Sequence, residues 1–156
     1  GTEYTVFRLQ SDSTLSAPVC FDIFSRDIVR KMTRNGAGLI ANLSNLAWFG
    51  LTNATDSMEA FARWRAIENR VPVLFVSNNG SSVFIGADGK SLSPRLKLFE
   101  TGFIVETVEI GSHDSFFREH GEWIGPAYLV LMLITVWLFG IGRRDFSRRN
   151  TVSSSP

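Results

Sequence analysis

The chain has 156 residues, 44% of them hydrophobic and 20% charged, which is enough for one domain with a real core and excludes wholesale disorder. Its single cysteine excludes an internal disulfide framework and a cysteine-based zinc site. The net charge of +1 is uneven: residues 143–156 hold four Arg and one Asp, while the rest is slightly acidic, so no surface for nucleic acid is expected before residue 143.

Taken in chain order, residues 4–9 alternate in the manner of a strand, 11–16 read as a loop, and 17–21 as a short buried strand. Ser25 fits a helix N-cap, and Phe24 and Val29 are spaced as a hydrophobic staple. Ile28, Val29 and Met32 give that helix an apolar face, and Asn35–Gly36 ends it. Residues 38–44 read as a second buried strand. Thr55 or Asp56 caps a helix over 57–69, with capping-box spacing between Asp56 and Glu59. Residues 71–77 form a third apolar run, 81–92 a hairpin turning at Asp88–Gly89, and 102–110 an alternating strand. Strands interleaved with helices predict an α/β sheet covered by helices.

Residues 123–142 contain no charge, and at 1.5 Å per residue they reach about 30 Å, the thickness of a bilayer's hydrocarbon core. The basic stretch 143–149 follows at once. The positive-inside rule puts it in the cytoplasm and residues 1–122 on the other side of the membrane. Four segments are therefore expected: a soluble domain over 1–110, a polar linker over 111–122, a transmembrane helix over 123–142 and a disordered basic tail over 143–156. The chain begins at Gly1 without Met or a signal-peptide pattern, and its start is read as a break inside a longer protein.

Cys20 is the first candidate for chemistry. It stands where a strand ends and a helix begins, and oriented amides there favour a thiolate and bind a developing oxyanion. A lone cysteine is more often inert core, so position alone leaves both readings open at this point. Asp22 and Asp27 are the nearest carboxylates in sequence. His113 and His120 lack the companions of a metal site and read as solvated linker residues. Sequons occur at Asn42, Asn53 and Asn79, two of them in or beside strands, which argues against glycosylation.

Several stretches in order resemble one family. "PVCFDIF" resembles a cysteine elbow, "ICYE". "NLSNLAWFG" resembles "ISNDAWFG". The run "FARWRAIENRVPVLFVSNNGSSVFIGADG" resembles an Arg-x-Arg-Ala-x-Glu segment followed by an Asn-x-Gly turn, and "EHGEW" leads into the apolar helix. Together they are similar to the carbon–nitrogen hydrolase (nitrilase) superfamily and, within it, to the carboxy-terminal part of the bacterial apolipoprotein N-acyltransferase family. The resemblance implies part of a four-layer α-β-β-α sandwich facing the periplasm of a bacterial inner membrane. It implies no cofactor or metal. The partners it implies are a phospholipid acyl donor, the amino terminus of a lipoprotein as acceptor, and a further half of the domain that supplies a glutamate and a lysine.

By position, the resemblance makes Cys20 the nucleophile, the Phe21 backbone N–H part of the oxyanion hole, and Asp22 a supporting carboxylate in place of the family's glutamate. Trp48 and Phe49 line the acyl pocket or its rim, and Arg63 and Glu68 belong to a structural ion-pair network. Leu46 stands where the family has a carboxylate and removes a charge beside the site. Without the glutamate and lysine, the 156-residue chain alone is expected to be inactive. Two other readings compete: a membrane-tethered amidase of the same superfamily, and a non-catalytic membrane-anchored binding module.

Overall fold

The computed structural model describes residues 3–111 and 113–152, without the side chains of 11 and 140–152. It falls into two units, 1–119 and 120–156. The first opens with a small antiparallel pair, β1 (Phe7–Arg8) and β2 (Thr14–Leu15), around a 3-10 turn at Gln10–Asp12. The stretch expected to be a loop thus supplies β2, and the strand expected over 4–9 shrinks to two residues.

The main sheet is built on β3 (Ile40–Ser44), β4 (Val73–Ser77) and β5 (Val83–Ile85). β3 and β4 are parallel, with Ile40 opposite Val73 and Ser44 opposite Ser77, and β5 is antiparallel to β4. Residues 16–19 extend the sheet beside β3 through the parallel bridges Ser16–Ile40 and Val19–Leu43. On the other edge the predicted hairpin forms: Gly89 adopts φ +80°, Gly86 N–H donates to Lys90 O, and Ile85 bridges Ser91.

Two helices cover one sheet face. α1 (Arg26–Arg34) starts where Ser25 Oγ accepts from Ile28 N–H at 3.4 Å. It ends in a Schellman motif, Gly36 at φ +100° donating to Thr33 O and Ala37 to Met32 O. α2 (Ala54–Asn69) turns Met58, Ala62 and Ala66, four residues apart, onto the sheet. They meet Ile40, Val73, Phe75, Val83 and Ile85 in a core that also holds Ile23 and Val29. The other sheet face consists of Ala41, Leu43, Leu74, Val76 and Phe84, all apolar and none fully buried.

Three expectations change. α2 begins three residues early, at Ala54, and its N-cap Asn53 makes no side-chain cap, so the capping box from Asp56 to Glu59 does not form. Residues 102–110 pair with no strand among the described residues, because alternation specifies a side-chain pattern and not a neighbouring edge; Phe103 and Val105 stand 88% and 84% exposed. The segment expected to be a solvated linker carries α3 (Phe116–His120) and is pinned down. Ser115 Oγ donates to Glu68 O, and Arg30 Nη1 donates to Arg118 O at 3.3 Å.

The second unit is α4 (Ile124–Val152), entered through a 3-10 turn at Gly121–Trp123. The stretch Phe116–Phe139 contains an 18-residue window of mean hydropathy 1.7 and is long and apolar enough to cross a membrane. α4 continues past residue 142, where an unstructured tail was expected. Arginine is a good helix former, and no proline interrupts 127–152. Residues 153–156 of that tail lie outside the described residues.

Candidate active site

The peptide that leads into Cys20 is fastened to the sheet before it turns. Ala41 N–H donates to Ser16 O and Leu43 N–H to Pro18 O, so residues 16–19 run straight along β3 toward its C-terminal end. There the direction changes within one residue. Cys20 has φ +51°, a left-handed conformation that costs a side chain with a Cβ about 1–2 kcal/mol, and a 3-10 helix, Cys20–Phe24, starts on it. Strain of this kind persists only where the surroundings impose it, and a sharp strand-to-helix turn is a known way to lift a nucleophile clear of a sheet. Cys20 is half-buried at the edge of the core. Phe21 N–H, the amide that follows Cys20, has no partner within the short helix by helix geometry.

Two side chains hold this elbow from beneath. Asp22 folds back so that its Oδ2 accepts from Val19 N–H at 3.0 Å, while its own N–H donates to Val19 O. The carboxylate placed in a supporting role by the sequence is thus engaged in closing the turn. Asn42, fully buried on β3, donates from Nδ2 to Pro18 O at 3.0 Å and to Cys20 O at 3.2 Å, and its Oδ1 accepts from Ser44 Oγ at 2.8 Å.

An aromatic group lies beside the elbow. The Phe21 and Phe24 rings stack at 5.4 Å, Phe21 meets Phe49 at 6.1 Å, and Phe24 meets Phe61 at 4.5 Å. The structure therefore brings Cys20, Phe21, Asp22 and Phe49 together. Trp48 is on the same 3-10 turn, Ala47–Phe49, but points outward, 86% exposed. Two cavities of about 740 and 530 Å³ among the described residues include none of these side chains.

The turn bearing Trp48 and Phe49 is anchored from the end of β4. Asn78 Oδ1 accepts from Leu46 N–H at 3.0 Å, and its Nδ2 donates to Asn45 Oδ1 at 2.8 Å. Leu46 is 2% exposed and lies against Gly80, where an added Cβ would come within 2.8 Å of its Cδ1. Leu46 is thus a core side chain at the position where the family resemblance puts a carboxylate.

Behind this loop is a hub centred on Glu59, which stands four residues before Arg63, the favourable order for a helical ion pair. Glu59 is buried: its Oε1 accepts from Arg63 Nε at 3.2 Å and Nη2 at 2.7 Å, and its Oε2 accepts from Ser81 Oγ and Arg95 Nε, both at 2.8 Å. Arg95 also reaches Asp56. Arg63 and Glu68 are both in structural ion pairs as expected, but in two separate ones, Arg63–Glu59 and Arg65–Glu68, the latter at 3.1 Å. In the second pair burial outweighs mutual attraction: it lowers the Arg65 pKa and raises that of Glu68. Asn42, Asn78 and Glu59 were all missed as site residues. The signal available for Asn42 was a polar residue at an inward position of an apolar strand.

A carbon–nitrogen hydrolase model matches residues 1–115. An apolipoprotein N-acyltransferase of Geobacter metallireducens is 31% identical over 106 residues, covering 67% of this chain and 20% of that protein. Apolipoprotein N-acyltransferase 1 of Treponema pallidum is 30% identical over 142 residues, covering 90% and 26%. This chain therefore spans about a fifth to a quarter of the curated relatives it matches. Among solved structures, yeast Nit3 of the nitrilase superfamily aligns with a TM-score of 0.53 at 20% identity, over 65% of this chain and 39% of that one. A Nesterenkonia amidase aligns with 0.53 at 21%, over 77% and 47%. These two show a shared nitrilase-like α/β fold. With a family model matching most of its length and that fold around the Cys20 elbow, the chain belongs to the carbon–nitrogen hydrolase family.

Proposed function

We propose that this chain is the nucleophile-bearing, carboxy-terminal part of an apolipoprotein N-acyltransferase. The observation that carries the reading is the Cys20 elbow: a half-buried thiol on a left-handed residue, at the start of a short helix and beside an aromatic surface. The names of the sequence relatives supply the reaction class.

In the first step the Cys20 thiolate attacks an ester carbonyl of a phospholipid. An S–C bond forms, and Phe21 N–H helps hold the oxyanion. The ester C–O bond then breaks, and the departing alkoxide takes a proton to leave as lysophospholipid. In the second step the amino group of a diacylglyceryl-cysteine lipoprotein attacks the thioester. A C–N bond forms, the C–S bond breaks, the amine's proton passes to a base, and the thiolate returns. A thioester is reactive enough toward an amine for this to proceed. Phe49, with Trp48 beside it, contacts the acyl chain.

Asp22 is committed to Val19 N–H; the base and the cation that complete the site are, as the family resemblance implies, a glutamate and a lysine of a further part of the domain. The same outside segment covers the apolar sheet face of Leu43, Leu74, Val76 and Phe84 and completes the sandwich. The span of α4 holds the unit at the membrane, with the soluble part in the periplasm and the basic end in the cytoplasm. The chain alone does not turn over.

The test supplies the complete protein with phospholipid and a synthetic diacylglyceryl-cysteine peptide. N-acylated peptide is expected, and none with Cys20→Ser. Release of ammonia from small amides without acyl transfer would instead make it a tethered amidase. Acylation that survives Cys20→Ser would remove Cys20 from the mechanism.

A further inference from the structure

We infer that Asn42 is the positioning residue that holds Cys20 in its strained conformation. A cysteine relaxes out of a positive φ unless something opposes it, because that region costs about 1–2 kcal/mol. The Asn42 amide opposes it from both sides of the turn. One Nδ2 group donates to Pro18 O, on the strand side, and to Cys20 O, on the helix side, so the two carbonyls must both face β3. Returning Cys20 to ordinary backbone angles swings its carbonyl away and breaks the second bond.

The orientation of the amide is itself fixed. Ser44 Oγ donates to Asn42 Oδ1 at 2.8 Å, and a flipped amide would set an oxygen against two carbonyl oxygens. Asn42 is fully buried, so no water replaces these bonds. β3 is parallel-paired along its whole length with β4 and so gives the amide a rigid base. An apolar residue would serve packing alone at least as well here, since Ile40, two positions earlier on the same face, is apolar and buried. The polar choice is explained by the carbonyls it holds. The inference concerns the same site as the proposed acyl transfer but does not need that reaction to be read out.

The experiment measures the alkylation rate of Cys20 by iodoacetamide in the complete protein, followed by mass spectrometry of the Cys20 peptide. Asn42→Leu keeps the size and removes both donors; Asn42→Asp keeps the shape and turns the donors into acceptors. In each, alkylation is expected to slow about tenfold, the worth of two lost hydrogen bonds partly offset by relief of strain. Ile85→Val, a core change at the far edge of the sheet, lowers stability without slowing Cys20. Asn42→Ser is read in the same way if Asn42→Leu does not fold. Rates within twofold of the parent in folded Asn42 variants, a faster rate in them, or equal slowing in Ile85→Val would overturn the assignment. Because alkylation needs no lipid, its result stands whether or not the protein transfers acyl chains.

Discussion

Replacing Glu59 by Gln should loosen the loop beneath the site more than any surface change of one charge. The Glu59 side chain is 8% exposed, while its partners Arg63 and Arg95 are 29% and 42% exposed. Each carboxylate oxygen accepts two hydrogen bonds, Oε1 from Arg63 alone and Oε2 from Ser81 and Arg95. A glutamine has one oxygen, so either flip sets an amide N–H₂ against a pair of donors. Two hydrogen bonds to a charged group are lost, at about 1.5–3 kcal/mol each, but both arginines can turn partly to water. The net cost is therefore about 3 kcal/mol, a large share of the stability of a typical domain. Thermal melting of the complete protein should show the transition of this domain lowered by about 10 °C or more. Hydrogen exchange should rise in residues 77–82 and 86–92, which Ser81 and Arg63 tie to α2. A shift under 2 °C with unchanged exchange would refute the hub.

Two further outcomes follow from burial. Leu46→Asp puts a carboxylate into a site 2% exposed and removes a packed side chain, so it should destabilise by about 4 kcal/mol or more in denaturant unfolding, and restored activity with a stable fold would contradict its core placement. Burial raises the Glu68 pKa above its ordinary 4.5, so the native state holds that proton more tightly than the unfolded chain. Its contribution to stability is therefore greatest in acid and is lost as pH rises from 4.5 through the raised value. Denaturant midpoints measured across that window should fall less with pH in Glu68→Gln than in the parent; equal slopes would show that Glu68 does not titrate in this way.

Much of the fold was legible because its signals are local. Ser25, the Phe24–Val29 spacing and Asn35–Gly36 bracket α1 as read, and Gly89 turns the hairpin. The Cys20 elbow was legible as a strand end meeting a helix start. The failures share a cause, which is that the deciding partner is distant in sequence. Glu59 has capping-box spacing from Asp56, yet Ser81 and Arg95, more than twenty residues away, claim its carboxylate. Residues 102–110 alternate like a strand without an edge to join. The burial of Leu46 depends on Gly80 and Asn78, and the role of Asn42 on its amide meeting Cys20 O, contacts that span more than twenty residues.

The most direct test of the account is the mass of the Cys20 peptide after the complete protein is incubated with phospholipid and no acceptor, then quenched in acid. An added acyl chain on Cys20 is expected, removable by hydroxylamine as a thioester must be, and absent from Cys20→Ser. An unmodified Cys20 in protein that still acylates lipoprotein would contradict it.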